Sequence, residues 1–107
     1  YSSASRFVRA CFVQMNSVSG AFEEESVGQF FHVLKSVEMP MGCVELENGA
    51  YEITAYSSCC NTERGIYYYT TYENSRISAI DMHKEDINGY ALIEYPLKRR
   101  QSVEYQN

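Results

Sequence analysis

Four cysteines, two histidines, a group of carboxylates, a tyrosine run and an early arginine are the residues of this 107-residue chain whose types suggest chemistry. Cys11, Cys43, Cys59 and Cys60 are even in number, but their spacing does not suggest a disulfide framework. Adjacent Cys59 and Cys60 on a strand would face opposite ways. There is no paired C-x-x-C set, and His32 and His83 lie far apart, outside any H-E-x-x-H pattern, so no metal is expected. Four reduced thiols in a cytosolic protein is the plainer reading. Cys59 or Cys60 beside His83 would make a thiolate–imidazole pair, to be weighed against buried structural cysteines. Asp81, Glu85 and Asp86 would supply paired carboxylates, although a solvated charged turn explains the same residues more simply. Tyr67-Tyr68-Tyr69 would stack on a ligand or, more commonly, pack within a strand. Arg6 either contacts an anion or stays a surface charge, and its residue type leaves both open. No glycine-rich phosphate loop and no nucleophile elbow is present.

The elements that must position these groups are legible from composition and period. Hydrophobic residues make up 45% of the chain and charged ones 21%, an ordinary globular balance that suits one domain or part of one. The net charge of −5 argues against a non-specific nucleic-acid binder. No apolar run approaches the roughly 18 residues of a membrane span, and no signal peptide is visible. A helix is predicted over 3–18, capped by Ser3 or Ser5, with Val8, Cys11, Phe12 and Met15 as its buried stripe. Arg6 and Arg9 fall in its early turns, where the dipole disfavours cations, a mild conflict that makes a specific partner for one of them worth considering. A second helix is predicted over 23–37. Glu23, Glu24 and Glu25 fill its first turn, and Val27, Phe30, Phe31, Leu34 and Val37 form its stripe. Pro40 stops it, and 38–48 reads as a connection.

From Tyr51 the period changes to two. Strands are predicted over 51–60, 65–72, 76–82 and 90–97, with a short edge segment around Val103. Turns fall at 61–65, where Gly65 is free to take positive φ, and at 73–75. Two helices followed by a four-stranded antiparallel meander make an α+β layer structure. The strands carry apolar or aromatic groups on both faces, Ile66 and Tyr68 on one and Tyr67 and Tyr69 on the other. Two helices cover one face, and the second face calls for a layer outside these residues. Together with a start at Tyr1 rather than Met, this leads to the expectation that the chain is a piece of something longer.

Two stretches carry a resemblance. Ser-Ser-Ala-Ser-Arg-Phe-Val-Arg-Ala at 2–10 resembles the helix start of the choloylglycine (bile salt) hydrolases, and Tyr-Ser-Ser-Cys-Cys-Asn-x-x-x-Gly-Ile-Tyr-Tyr-Tyr-x-Thr-Tyr at 56–72 resembles their signature strand pair. The segments at 23–32 and 80–86 fit the same family, in its versions from gut Gram-positive bacteria. The resemblance covers essentially all 107 residues and corresponds to the last third of the family's chain. It implies an N-terminal-nucleophile hydrolase, cytoplasmic and bacterial, with a four-layer αββα sandwich, no cofactor and a homotetrameric assembly. Such enzymes cleave the amide of glycine- or taurine-conjugated bile salts. A Cys at the mature N-terminus attacks, its own α-amino group is the base, and backbone and asparagine donors hold the oxyanion.

The chain departs from that pattern at its start. It opens on Tyr1, and its first cysteine, Cys11, lies within a helix, so these residues are expected to be inactive alone. One active-site residue carries over by resemblance: the Arg of the Ser-Arg-Phe motif falls on Arg6, near where the nucleophile would stand. A cation there favours the thiolate. Arg9 has no such role, and Cys59 and Cys60 fall on strand positions rather than catalytic ones. Two other readings stand beside this one: a penicillin V acylase-type amidase of the same superfamily, and a stand-alone, non-catalytic α+β interaction module.

Overall fold

A computed structural model describes residues 2–107. Its elements are α1 (Ser3–Met15), α2 (Glu23–Lys35), β1 (Tyr56–Asn61), β2 (Ile66–Thr71), β3 (Asn74–Asp81) and a 3-10 turn at Met82–Lys84. The class is α+β. The residues group into two compact units, a helical one ending at Thr54 and a sheet unit from Ala55 onward.

Helix α1 begins one residue before the predicted caps. Ser2 is the N-cap: its Oγ accepts from the Ser5 amide at 3.1 Å, and Ser5 Oγ accepts from the Ser2 amide at 3.2 Å. Each hydroxyl thus satisfies a donor that the helix leaves orphaned. The helix stops at Met15, short of the predicted 18, because polar side chains take its last carbonyls. Asn16 Nδ2 donates to the Phe12 carbonyl at 2.8 Å, and Ser17 Oγ donates to that of Val13.

Most of the predicted apolar stripe of α1 does not face inward. Cys11 is half-buried, but Val8, Phe12 and Met15 are 64%, 66% and 79% exposed. The half-buried face is that of Arg6, Ala10, Val13 and Ser17, which recur at helical spacing. Within its unit α1 packs on α2, and a single neighbouring helix covers only one side.

Helix α2 follows prediction more closely. Its three acidic residues meet the positive end of the dipole. Phe31 is buried and Val27, Leu34 and Val37 are half-buried, but Phe30 of the predicted stripe is 45% exposed. It ends at Lys35 rather than 37, because the Ser36 and Val37 amides bond three residues back, to Val33 and Leu34 at 3.2 and 3.1 Å. These bonds tighten the last turn.

The first strand starts five residues later than predicted. Residues 51–54 lie outside the sheet: Tyr51 forms an isolated antiparallel bridge with Glu45, and the segment bonds to the preceding connection. Leu46 donates to the Ala50 carbonyl at 2.7 Å, Glu52 to that of Val44 at 2.9 Å and Thr54 to that of Met39 at 3.1 Å. Met39, buried, also donates its amide to Thr54 Oγ1 at 2.8 Å.

The sheet is an antiparallel meander in the order β1-β2-β3. The β-branched and aromatic run Ile66–Thr71 forms its centre, as strand propensity demands. The turn at 61–65 forms where predicted. Asn61 Oδ1 accepts from the Glu63 and Arg64 amides, and Gly65 closes the turn at φ +67° with an amide bond of 2.8 Å to the Asn61 carbonyl. The next turn lies one residue earlier than predicted, at Tyr72 and Glu73, so β3 begins at Asn74 rather than 76. The pairing shifts between Tyr69↔Ser78 and Thr71↔Asn74, an irregularity that re-aims the start of β3.

The sheet has three strands, not four. Residues 90–97 form no ladder, Tyr90 is fully exposed and Leu92 is 84% exposed. Pro96 has no amide to donate, and no strand forms around Val103 either. The chain is held instead by side chains just beyond 97. Lys98 donates its amide to the Tyr69 hydroxyl at 3.1 Å. The Lys98 carbonyl accepts from Thr71 Oγ1 at 2.9 Å and Asn74 Nδ2 at 3.3 Å. Asn74 Oδ1 also accepts from the Ser102 amide at 3.2 Å. Thr71 and Asn74 are both buried.

Two substitutions test this account. Asn74→Ala strands several partners at once and is expected to lower stability by about 1–3 kcal/mol in urea unfolding, with faster amide exchange at Lys98 and Ser102. Gly65→Ala forces a left-handed backbone on a residue with a Cβ, which would lie 2.6 Å from Met82 Sδ. It is expected to cost about 1–2 kcal/mol by the same measurement.

Candidate functional site

The residue that sequence reasoning places nearest to chemistry is Arg6, and the structure gives it a specific partner. From the first turns of α1 its guanidinium reaches the chain just beyond α2. Nε and Nη2 both donate to the Val37 carbonyl, at 3.1 and 2.9 Å. The side chain is part-buried.

This resolves the electrostatic conflict in the sequence. A cation at the start of α1 is disfavoured by that helix, but the same charge sits at the carbonyl end of α2, where the dipole favours it. Val37 lies two residues past Lys35, just beyond the C-cap Ser36. The two bonds occupy one edge of the fork and leave Nη1 outside the clamp. The acceptor is a neutral carbonyl, so the guanidinium is fixed in place without its charge being cancelled. The ligand is also rigid, since Arg presents its donors in a planar fork. Arg9, by contrast, is exposed and lines a shallow apolar cleft with Val8 and Phe12.

The other candidates resolve into structural roles. Asp81 Oδ1 caps the 3-10 turn by accepting from the His83 amide at 2.9 Å. Asp86 Oδ1 accepts from the Asn88 amide at 3.2 Å, and Glu85 accepts from the Tyr95 hydroxyl. That bond, with burial second, pushes the Tyr95 hydroxyl above its ordinary value. The three acids are therefore spent on local bonds rather than paired. His32 is exposed on the last turn of α2. Among the described residues, no group of three His, Cys, Asp or Glu side chains gathers for a metal ion. No helix among them is long and apolar enough to cross a membrane.

All four cysteines are free thiols. Cys59 stands opposite Tyr68 and Cys60 opposite Tyr67 on the strand pair, so the two point to opposite faces. Burial pushes the Cys59 thiol up, and the neighbouring Cys60 adds to the shift. The tyrosine run is a packed strand. Tyr69 is buried, and its ring centroid lies 6.1 Å from that of Tyr67 on the same face.

The Val37 carbonyl and the Thr71–Asn74–Lys98 cluster have no signal in the sequence. The first is a backbone atom 31 residues from Arg6. The second joins residues that read as a strand end, a turn and a tail.

Comparison with known proteins gives this arrangement a family. Residues 1–95 match the linear amide C–N hydrolases of the choloylglycine hydrolase family, and the chain belongs to that family. The bile salt hydrolase/transferase of Lactiplantibacillus plantarum is 50% identical over 97 residues, which is 91% of this chain and 30% of that protein. The bile salt hydrolase/transferase of Clostridium perfringens is 36% identical over 107 residues, covering all of this chain and 32% of that protein. The crystal structure of a variant conjugated bile acid hydrolase from Clostridium perfringens superposes with a TM-score of 0.89 at 36% identity, over 100% of this chain and 32% of that one. Penicillin V acylase from Agrobacterium tumefaciens shares the fold alone, with a TM-score of 0.63 at 23% identity over 77% of this chain and 26% of that one. The chain therefore spans about a third of the length of the curated relatives it matches.

Two measurements check the geometry. Arg6→Ala leaves the Val37 carbonyl without its charged donors and is expected to lower stability by about 1–2 kcal/mol in urea unfolding. Amide exchange should quicken at the end of α2 while the β1–β2 hairpin is unchanged. Iodoacetamide should label exposed Cys43 and Cys60 ahead of Cys59, as read by mass spectrometry of timed samples.

Proposed function

We propose that these residues form the C-terminal part of a bile salt hydrolase, an enzyme that cleaves the amide bond of glycine- or taurine-conjugated bile acids. The observation that carries the reading is the superposition of all of this chain on about a third of a conjugated bile acid hydrolase, 32% of its length, at 36% identity. The Ser-Arg-Phe motif at 5–7 falls on a helix whose arginine is held in one position. In this reading the nucleophile is an N-terminal cysteine supplied from outside these 107 residues. Its α-amino group takes the thiol proton and later delivers it to the leaving amine.

Arg6 is the active-site residue that this chain contributes. Its clamp on a neutral carbonyl preserves a full positive charge, and its Nη1 edge remains to face the nucleophile. A cation so placed lowers a nearby thiol's pKa and stabilises the anion that develops during attack. The fine architecture proposed is the four-layer αββα sandwich, with residues 1–107 belonging to one catalytic domain. Two observations support it: the aromatic groups on both faces of β2, and the uncovered apolar side of α1. A homotetramer in a bacterial cytoplasm completes the proposal, and four free thiols suit that compartment.

The penicillin V acylase reading is weaker, because the likeness to that enzyme is one of fold. In a complete enzyme, Arg6→Ala is expected to reduce kcat on glycocholate tenfold or more and to shift the acid limb of its pH profile upward. Arg6→Lys should restore part of the rate. Near-wild-type turnover and an unmoved profile in Arg6→Ala would remove this residue from the site. The 107-residue chain alone is expected to release no glycine from glycocholate.

A further inference from the structure

The sheet unit carries a second feature that the hydrolase reading does not use. Beside the start of β3 lies a cleft of about 440 Å³, whose lining includes Arg76, Lys98, Arg99 and Arg100. Those are four of the nine Lys and Arg residues in a chain whose net charge is −5. Their assembly is not a product of sequence neighbourhood alone, since Arg76 comes from β3 and the other three from the tail. The buried side chains of Thr71 and Asn74 hold the Lys98 carbonyl and bring the tail there.

Compensation within the cleft is sparse. Arg99 donates to Glu73 at 3.1 Å and holds that carboxyl below the usual carboxylate range. Arg76 Nη1 donates to the neutral Ser102 hydroxyl at 3.2 Å. Like charges around one concavity repel, and a cleft focuses their field on its interior. Guanidinium groups pair in a bidentate way with phosphate- and carboxylate-type oxygens. The cleft is open to solvent, and all four cations are exposed.

We propose that this cleft binds a small molecule with a tetrahedral oxyanion head, a phosphate or a sulfonate, through Arg76 and Arg100, with Lys98 adding charge. Arg99 is largely committed to Glu73 and forms the rim.

The test is a titration of the complete, uniformly 15N-labelled protein that carries these residues, with chloride replaced at constant ionic strength. Inorganic phosphate and methanesulfonate are the probes, and acetate is the planar control. Saturable shifts at the Ser75, Arg76 and Ser102 amides are expected with a tetrahedral probe, together with a smaller or absent response to acetate. Saturation by phosphate alone identifies a phosphate head, and saturation by methanesulfonate alone a sulfonate head. Arg76→Gln with Arg100→Gln should weaken binding at least tenfold, whereas Arg76→Lys with Arg100→Lys should retain it within about threefold. Unchanged β1–β2 hairpin amides show that a variant keeps its fold. Equilibrium dialysis with labelled phosphate on Arg100→Gln alone gives a second readout if the double variant unfolds. Shifts that never saturate, that acetate matches, or that survive charge removal would overturn the proposal.

Discussion

One carbonyl organises the helical unit. The Val37 oxygen, just past the end of α2, receives both available nitrogens on one edge of the Arg6 fork. The bond joins the start of one helix to the exit of the other, so the angle at which α1 lies on α2 is set by a rigid planar group rather than by apolar packing alone. The half-buried row of Ala10, Val13 and Ser17 lies on the same side of α1 as Arg6, at helical spacing. The residue proposed for the active site is thereby also a fastening of the fold, and its charge survives because its partner is neutral.

The sheet unit solves a similar problem by a different route. Its central strand is specified by β-branched and aromatic residues, and its first turn by Asn61 and Gly65. The chain beyond β3 is not specified by a ladder. It is captured by two buried polar side chains, Thr71 and Asn74, that converge on one backbone carbonyl. Buried polar groups of this kind demand their partners, since leaving either unsatisfied is expensive. The tail is consequently placed by hydrogen-bond satisfaction rather than by hydrophobic burial.

How far the sequence could be read follows from these two devices. Helix and strand types came through wherever period and local chemistry agree: the α2 stripe, the Asn61–Gly65 turn and the tyrosine-rich strand. The motif at 2–10 pointed to Arg6, and the dipole conflict pointed to a partner for it. Boundaries failed where side chains intervened, at Asn16 and Ser17 after α1, or where predicted strand residues bonded elsewhere, as at 51–54 with the 39–46 segment. The stripe of Val8, Cys11, Phe12 and Met15 reads as buried, yet only Cys11 is half-covered, because helical spacing reports that a face is apolar, not what covers it. The predicted fourth strand failed for a related reason. Alternation over 90–97 marks an extended segment, but a strand also needs a neighbour with free amides and carbonyls in register. Asn74 was read as a turn residue, since nothing local distinguishes a turn asparagine from one that holds a distant carbonyl.

The anchoring of the tail at Lys98 has a consequence for how this region can change over time. Between the 3-10 turn and that anchor the chain is exposed and takes no part in the sheet. Its length is therefore nearly free to drift. Doubling a flexible loop adds only about 0.6 kcal/mol of closure entropy, while both of its fixed ends stay where they are. Insertions and deletions should accumulate between 86 and 96 in natural variants, and the spacing from Thr71 to Asn74 should stay constant. A peptide tag or a small domain spliced into that span would be carried as cargo, with the sheet and the anchored tail left as they are.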